Sequence, residues 1–281
     1  MPSFTETMLE RYSDEITVAT QHPFLAAAGR HELTRDKLSE WLTQDRCYAL
    51  HGSSLISALP LSSFPHQADA HKTLSLLSYA LSNIDREVTF FDDLSSKYLV
   101  DLEGQVLRPT TRAYIDLMIA TGAEASRNGG NLEEAIVLLW TMEKLYNLAW
   151  KYAGSLSPSS SSSRNPSDPR TSAAITELIQ NWTSEEFDLF VEKCGEEVEK
   201  LDLIEGTDAW ERAEEMFKYV LYLEQRFWPD MYAGPSRGAL GSLSRRSSMA
   251  MSRRNSENVS GRSSVNLSRR SSFILNNISD Q

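Results

Sequence analysis

The stretch Leu38–Ala49, LSEWLTQDRCYA, puts an acid where an amphipathic helix needs an apolar residue. Its stripe runs Leu38, Trp41, Leu42, Asp45, Tyr48, Ala49, a helical period that turns Asp45 inward. The same misplacement recurs twice. Glu87 falls in Leu77, Ala80, Ile84, Glu87, Phe91, and Glu224 falls in Phe217, Val220, Leu221, Glu224, Phe227, Trp228. A lone buried carboxylate is costly unless it is paired, hydrogen-bonded or protonated. One such acid is more often held by an Arg or a helix terminus than used in chemistry, but three on separate apolar faces point to a shared polar cavity. Tyr48, Phe91, Phe227 and Trp228 follow the acids at helical distance. Aromatic planes edged by carboxylates suit a flat, nitrogen-rich ring.

Working outward, the 3.6-residue period persists and strand-like alternation is scarce, so the chain is expected to be all-α. Breaks at Pro, Gly and Ser clusters predict helices at 4–20, 34–58, 67–98, 109–127, 131–153, 173–182, 184–203 and 207–232. Thr34 opens the second, Thr183 with Glu186 reads as a capping box for the seventh, and Thr207 opens the last. Trp140–Tyr152 is apolar on more than one face, which makes helix 131–153 the centre of a single-domain bundle spanning 1–234. The segment GSLSPSSSSSRNPSDPRTS, residues 154–172, reads as a mobile surface loop within that domain.

The chain has 281 residues, 41% of them hydrophobic, enough for a core without staples. Two cysteines, Cys47 and Cys194, make neither a disulfide framework nor a metal motif. Met1–Glu10 is polar and no apolar run approaches the ~18 residues of a membrane span, so no membrane association and a cytoplasmic location are expected. Formal net charge is −11; residues 235–281 carry eight Arg against Glu257 and Asp280, or +6, and subtracting this leaves −17 for residues 1–234. A body of that charge repels nucleic acid. The tail has fourteen Ser in 47 residues and too few large apolar side chains to offset its ordering entropy, so it is expected to be disordered. Its RRSS, RRNS and RRSS blocks offer Ser248, Ser256 and Ser272 to a basophilic kinase, each phosphate adding about −1.5 to −2 charges.

Four segments carry a family likeness: HPFLAAAGRHELTRDKLSEWLTQDRCYAL (His22–Leu50), PTTRAYIDLM (Pro109–Met118), NWTSEEFDLFV (Asn181–Val191) and YLEQRFW (Tyr222–Trp228). In this order they resemble the TenA/thiaminase II family, over roughly Thr5–Tyr232. The resemblance implies a haem-oxygenase-like helical bundle whose pocket takes the aminopyrimidine half of thiamin or its breakdown products. It implies that Asp45 hydrogen-bonds the pyrimidine, that Tyr48 shares its helix face, and that Glu224 transfers protons. Glu87, Tyr114, Thr141, Tyr146 and Trp182 complete the expected binding wall. No cofactor or metal is implied, and the family's habit of tetramerising makes a homo-oligomer an expectation.

The departures from the family pattern matter as much. Members with thiaminase II activity carry a Cys nucleophile in the central helix, and aligning LLWTMEKLYNLAW puts Thr141 there. A Thr hydroxyl without a strong base is a poor nucleophile. Cys47 lies two residues from Asp45, about 200° round the helix, and reads as a packed thiol. Arg112 stands where an aromatic is common and is expected to neutralise Asp45 or Glu87. The chain thus resembles the eukaryotic-type members that lack the nucleophilic cysteine. Such members imply hydrolysis of an aminopyrimidine on a thiamin salvage route, with Glu224 as general base and Asp45 holding the ring. The alternative is a non-catalytic binding or regulatory protein. Haem, di-iron, phosphate-loop and serine-hydrolase chemistries lack their residues: His22 is followed by Pro23, no Glu-x-x-His pair occurs, and neither a glycine-rich loop nor a G-x-S-x-G elbow is present.

Overall fold

The computed structural model describes residues 2–59, 70–103, 106–127, 130–156 and 167–233. The expected disordered tail, with Ser248, Ser256 and Ser272, lies outside them, as does the middle of the expected loop.

Among the described residues there are ten helices and no strand. The expected helix 4–20 is two helices, α1 (Phe4–Arg11) and α2 (Ser13–Thr20), joined at Tyr12. The break lets α1 pack on α9 (Glu185–Glu199) while α2 turns to α7 (Leu132–Ser155) and α10 (Asp208–Phe227). Periodicity over seven residues is too short to announce α3 (Pro23–Gly29). His22 caps it, its Nδ1 accepting from the Phe24 amide at 3.1 Å, with Pro23 at the first helical position. Gly29 ends α3 against the backbone of α7, where a Cβ would lie 2.1 Å from the Ala153 carbonyl oxygen. Only glycine permits that approach.

The long helices α4 (Arg35–Ala58), α5 (Ala70–Tyr98) and α6 (Pro109–Ala125) begin where expected within a few residues or at the edge of the described chain. Thr34 and Thr207 act as N-caps, accepting from the amides of Lys37 and Trp210 at 3.3 Å each. For α9 the cap is Ser184, which accepts from the Phe187 amide, while Thr183 closes α8 (Pro169–Trp182). That helix starts four residues earlier than expected because Asp168 accepts from the Arg170 and Thr171 amides and Pro169 fits the first position. The expected loop 154–172 is therefore helical at both ends, and its C-terminal end is tied down by Ser167, which bonds the carbonyls of His31 and Leu33 at 2.7 Å. Helix α10 stops at Phe227, before the extended Trp228 and Pro229.

Helix α7 contacts α2, α3, α6, α8, α9 and α10 and is the axis of the bundle, as its multi-faced apolarity implies. Helix α5 packs instead on α4, α8 and α9. Where α3, α4, α7 and α8 meet, Phe24, Trp41, Trp150, Trp182 and Trp228 form one buried aromatic body. Trp150 and Trp182 stack with centroids 5.0 Å apart, and Trp41 lies 5.2 Å from Trp150.

Candidate functional site

Each of the three inward acids meets an aromatic donor from a different helix. Tyr146 of α7 donates to Asp45 Oδ1 of α4 at 2.6 Å. Tyr114 of α6 donates to Glu224 Oε2 of α10 at 2.7 Å. Trp182 of α8 donates its indole N–H to Glu87 Oε1 of α5 at 3.2 Å. Asp45 and Glu224 are 2% and 3% exposed, whereas Glu87 is half-buried. Tyr48 crosses the space between these pairs, its ring edge-on to Tyr114 at 5.3 Å and 5.7 Å from Phe227. The structure thus brings Asp45, Tyr48, Glu87, Tyr114, Tyr146, Trp182 and Glu224 to one place.

A fourth acid belongs with them. Glu143 of α7 lies three residues before Tyr146, on the same helix face, and interacts electrostatically with Asp45, Tyr48 and Glu87. Its stripe, Ile136, Leu139, Trp140, Glu143, Tyr146, Trp150, has the period that marked the other three. Beside Lys144 it reads as half of a solvated charge pair, but Lys144 lines a separate groove with α9. Among the described residues no ion pair forms with any of the four acids. Arg112, expected to neutralise them, is exposed on α6, because that helix turns Tyr114 and not Arg112 toward the acids.

Thr141 is placed differently. On α7 it lies about 160° from Glu143 and about 140° from Tyr146. It is fully buried, and its hydroxyl donates to the Val137 carbonyl at 2.7 Å. Cys47 is half-buried, with its thiol pKa pushed up by burial, so it is no activated thiolate.

Crowding of like charge in a desolvated space dictates the electrostatics. Burial raises Glu224 to about 7, the Tyr114 hydrogen bond only partly opposing it. Burial likewise raises Glu87 to about 7 against the Trp182 bond. Glu143 rises to about 8, by burial and then by repulsion from Glu87. Asp45 is pushed well above the usual carboxylate range by burial and by Glu87, although Tyr146 donates to it. Tyr48, half-buried like Glu87 and Glu143, is raised by burial and then by Glu143. Glu224 Oε1 is sealed and has no hydrogen-bond partner. The arrangement is rich in acceptors and poor in donors, so it suits a ligand bearing several N–H groups or a positive charge. Near neutral pH it holds carboxyls of both protonation states side by side, the condition for general acid–base chemistry.

Glu87 and Trp182 also line a groove of ≈ 190 Å³ between α5 and the α8–α9 turn, with Tyr79, Asn83, Arg86 and Glu186. Arg86 is occupied there by Glu186 at 3.1 Å and by the Tyr79 hydroxyl at 2.9 Å. Among the described residues no group of His, Cys, Asp and Glu is disposed to hold a metal ion, and no helix is long and apolar enough to cross a membrane.

Residues 8–234 match the model of the TENA/THI-4/PQQC family. A TenA homologue from Pyrococcus furiosus superposes with a TM-score of 0.66 at 21% identity, covering 80% of this chain and 98% of that one. A protein from Sulfolobus solfataricus P2, described as a putative TenA-like thiaminase, does so with 0.59 at 14% identity, covering 81% and 95%. A TenA family transcription regulator from Silicibacter sp. TM1040 gives 0.65 at 14%, covering 80% and 94%. These likenesses establish the fold, the haem-oxygenase-like all-α bundle. A Fusarium pseudograminearum (strain CS3096) protein described as a probable transcription factor is 29% identical over 237 residues, 73% of this chain and 47% of that protein. The chain spans about half the length of that relative.

Proposed function

Because the chain belongs to the TENA/THI-4/PQQC family, we propose that it hydrolyses an aminopyrimidine breakdown product of thiamin without a Cys nucleophile. The observation that carries this reading is the set of four inward acids with no ion pair among the described residues, three of them met by an aromatic donor from another helix. An aminopyrimidine is flat, stacks on aromatic rings and presents amino and ring N–H groups to acceptors. Asp45, held by Tyr146, takes the amino edge of the ring. Tyr48 and Trp182 limit the plane in which the ring sits. Glu224 is the general base: Tyr114 holds Oε2, and Oε1 is left without a hydrogen-bond partner. Raised to about 7, its carboxylate is basic enough to take a proton and is still ionised in part of the population at neutral pH. Thiamin itself is a poor substrate in this reading, since Cys47 is not activated and Thr141 turns its hydroxyl to Val137.

A regulatory reading draws on the likeness to the Fusarium probable transcription factor and to the Silicibacter TenA family transcription regulator. The −17 charge of residues 1–234 opposes direct nucleic-acid contact by this part of the chain. The two readings part in one experiment, in which purified protein is incubated with thiamin, with an aminomethyl-pyrimidine and with its N-formyl derivative, and the products are separated chromatographically. New hydroxymethyl product from either pyrimidine supports hydrolysis. Tight binding with no product from any of the three favours the regulatory reading.

A further inference from the structure

We propose that Arg108, seated by Gln44, is a positioning residue for the proposed base: it clamps the end of α10 so that Glu224, Phe227 and Trp228 keep their places against α4, α6 and α7. The proposal rests on the hydrolytic reading above and names what holds that site in register.

Arg108 stands half-buried at the N-cap of α6, and its guanidinium donates to three backbone carbonyls at the end of α10. These are Phe227 at 2.7 Å, and Arg226 and Trp228 at 3.2 Å each. The last carbonyls of a helix have no partner within it and carry the negative end of its dipole, so a forked cation completes them. The residues held in this way wall the site. Phe227 packs on Tyr48 at 5.7 Å and on Tyr114 at 5.8 Å, and Trp228 stacks on Tyr146 at 5.6 Å. Glu224 lies one turn before them and accepts from the Tyr114 hydroxyl at 2.7 Å.

Gln44 seats the clamp. It is 1% exposed and precedes Asp45 on α4. Its Oε1 accepts from the Arg108 amide and the Thr111 hydroxyl at 2.9 Å each, and its Nε2 donates to the Val106 carbonyl at 3.1 Å. A backbone amide can only donate and a carbonyl can only accept, so these partners fix the orientation of the Gln44 amide. One buried side chain thus ties the start of α6 to the neighbour of Asp45, and Arg108 carries the tie on to the last turn of α10. The group proposed to hold the ring and the group proposed to take the proton stand on different helices, and this strut sets the distance between them.

Burial and the Tyr114 bond act directly on the Glu224 carboxyl, so Arg108 acts on it through the position of the helix. Glu224 also interacts electrostatically with Asp45 and Tyr48 of α4 and with Tyr146 of α7. A base displaced by about 1 Å can lose on the order of 10²-fold in rate.

The test uses the full chain and an aminomethyl-pyrimidine. Arg108→Met keeps the apolar stem and removes the fork. At a temperature where circular dichroism shows it folded, it is expected to lower kcat about 10- to 100-fold and to change KM less than about threefold. Arg108→Lys keeps a donor for these carbonyls and should fall between Met and wild type. Arg11→Met, which breaks the bonds to Glu205 and Glu214 at the other end of α10, controls for general loosening and should keep kcat within about twofold. Wild-type kcat in folded Arg108→Met, a Lys variant no better than Met, or equal losses in Arg108→Met and Arg11→Met overturn the proposal. Should Arg108→Met not fold, the comparison passes to Arg108→Lys, whose kcat must then fall by more than about twofold with KM held. If the wild-type protein does not hydrolyse the pyrimidine, the hydrolytic reading fails on its own. The clamp is then judged in protein labelled with ¹³C at the Glu carboxyls, with the Glu224 signal identified by its absence from Glu224→Gln. There, Arg108→Met, or Arg108→Lys in its place, should lower the Glu224 midpoint from about 7 toward 4.5 as water reaches the carboxyl, and an unmoved midpoint removes the clamp as well.

Discussion

Helix α10 carries two glutamates ten residues apart that meet opposite fates. Glu214, near its start, accepts from Arg11 at 2.8 Å, from the Tyr12 hydroxyl at 2.7 Å and from the Trp210 indole at 3.2 Å. Burial alone would raise its pKa, but the bonds from Arg11 and Tyr12 outweigh it and the net shift is downward. Glu224, near the end, is met by a single neutral phenol and rises to about 7. Both acids sit on a packed helix, and both accept from a tyrosine. What separates them is a cation. The start of α10 is built to hold a charge at rest, and its end is built to keep a charge negotiable.

The comparison breaks most visibly in catalysis. Glu224→Gln should abolish aminopyrimidine hydrolysis, by about 10²–10⁴-fold in kcat, while circular dichroism and the cooperativity of unfolding stay native. Retained turnover in that variant would remove Glu224 from the chemistry and reduce the two ends of α10 to one structural role.

Stability against pH gives the next largest effect. The folded pKa of Glu224 lies above its unfolded value, so the folded state binds its proton more tightly. Its contribution is full below about 4.5, declines as pH rises to about 7, and is flat beyond. The rise from 4.5 to about 7 corresponds to roughly 3 kcal/mol. Glu87 and Glu143 act with the same sign, so the melting midpoint should fall between pH 5 and pH 8. Glu224→Gln should flatten that fall, and an unchanged slope would mean that these acids are solvated in solution. Glu214 acts in the opposite direction, contributing above 4.5 and losing it as pH drops through its depressed pKa.

Ligand binding probes the same contrast on a smaller scale. Asp45→Asn keeps an acceptor for Tyr146 but loses the charge offered to the ring, so affinity for an aminomethyl-pyrimidine should weaken roughly 10- to 100-fold by calorimetry. Unchanged affinity would make Asp45 a structural partner of Tyr146 alone. Glu214→Gln should cost no more than about 1 kcal/mol of stability, since its Arg11 partner is well exposed, and should leave turnover untouched. The smallest effect is expected from Thr141→Cys, which should leave thiamin uncleaved because position 141 faces away from Glu143 and Tyr146. Thiamin cleavage by that variant would show that the side chain at 141 reaches the ring.

Much was legible without coordinates. An amphipathic period is a local property, so the stripes through Asp45, Glu87 and Glu224 indicated their direction, and the apolar faces of Trp140–Tyr152 marked α7 as central. Capping is equally local at Thr34 and Thr207, though at the next pair of hydroxyls the choice fell to Ser184 over Thr183. Local rules failed where a tertiary contact overrode them. Tyr12 interrupts a continuous helical pattern so that α1 and α2 can each reach a different neighbour, and its hydroxyl is fixed by Glu214, 202 residues away. Glu143 obeyed the stripe rule but sits beside Lys144, and only packing shows that the two side chains serve different spaces. Arg112 follows the same logic in reverse, since a helix pattern indicates a face and not what that face meets.

The sequence by itself determined the all-α class, most helix bounds and the inward aim of three acids, because each depends on neighbours within one or two turns. The tertiary structure alone decided which groups meet. The bonds from Tyr146 to Asp45, Tyr114 to Glu224 and Trp182 to Glu87 join residues 101, 110 and 95 apart. No spacing rule within a helix encodes such pairings. The raised pKa values are likewise sums over five helices, α4, α5, α7, α9 and α10, of burial and of like charge without a counter-ion. That sum exists only once the helices are assembled around these acids.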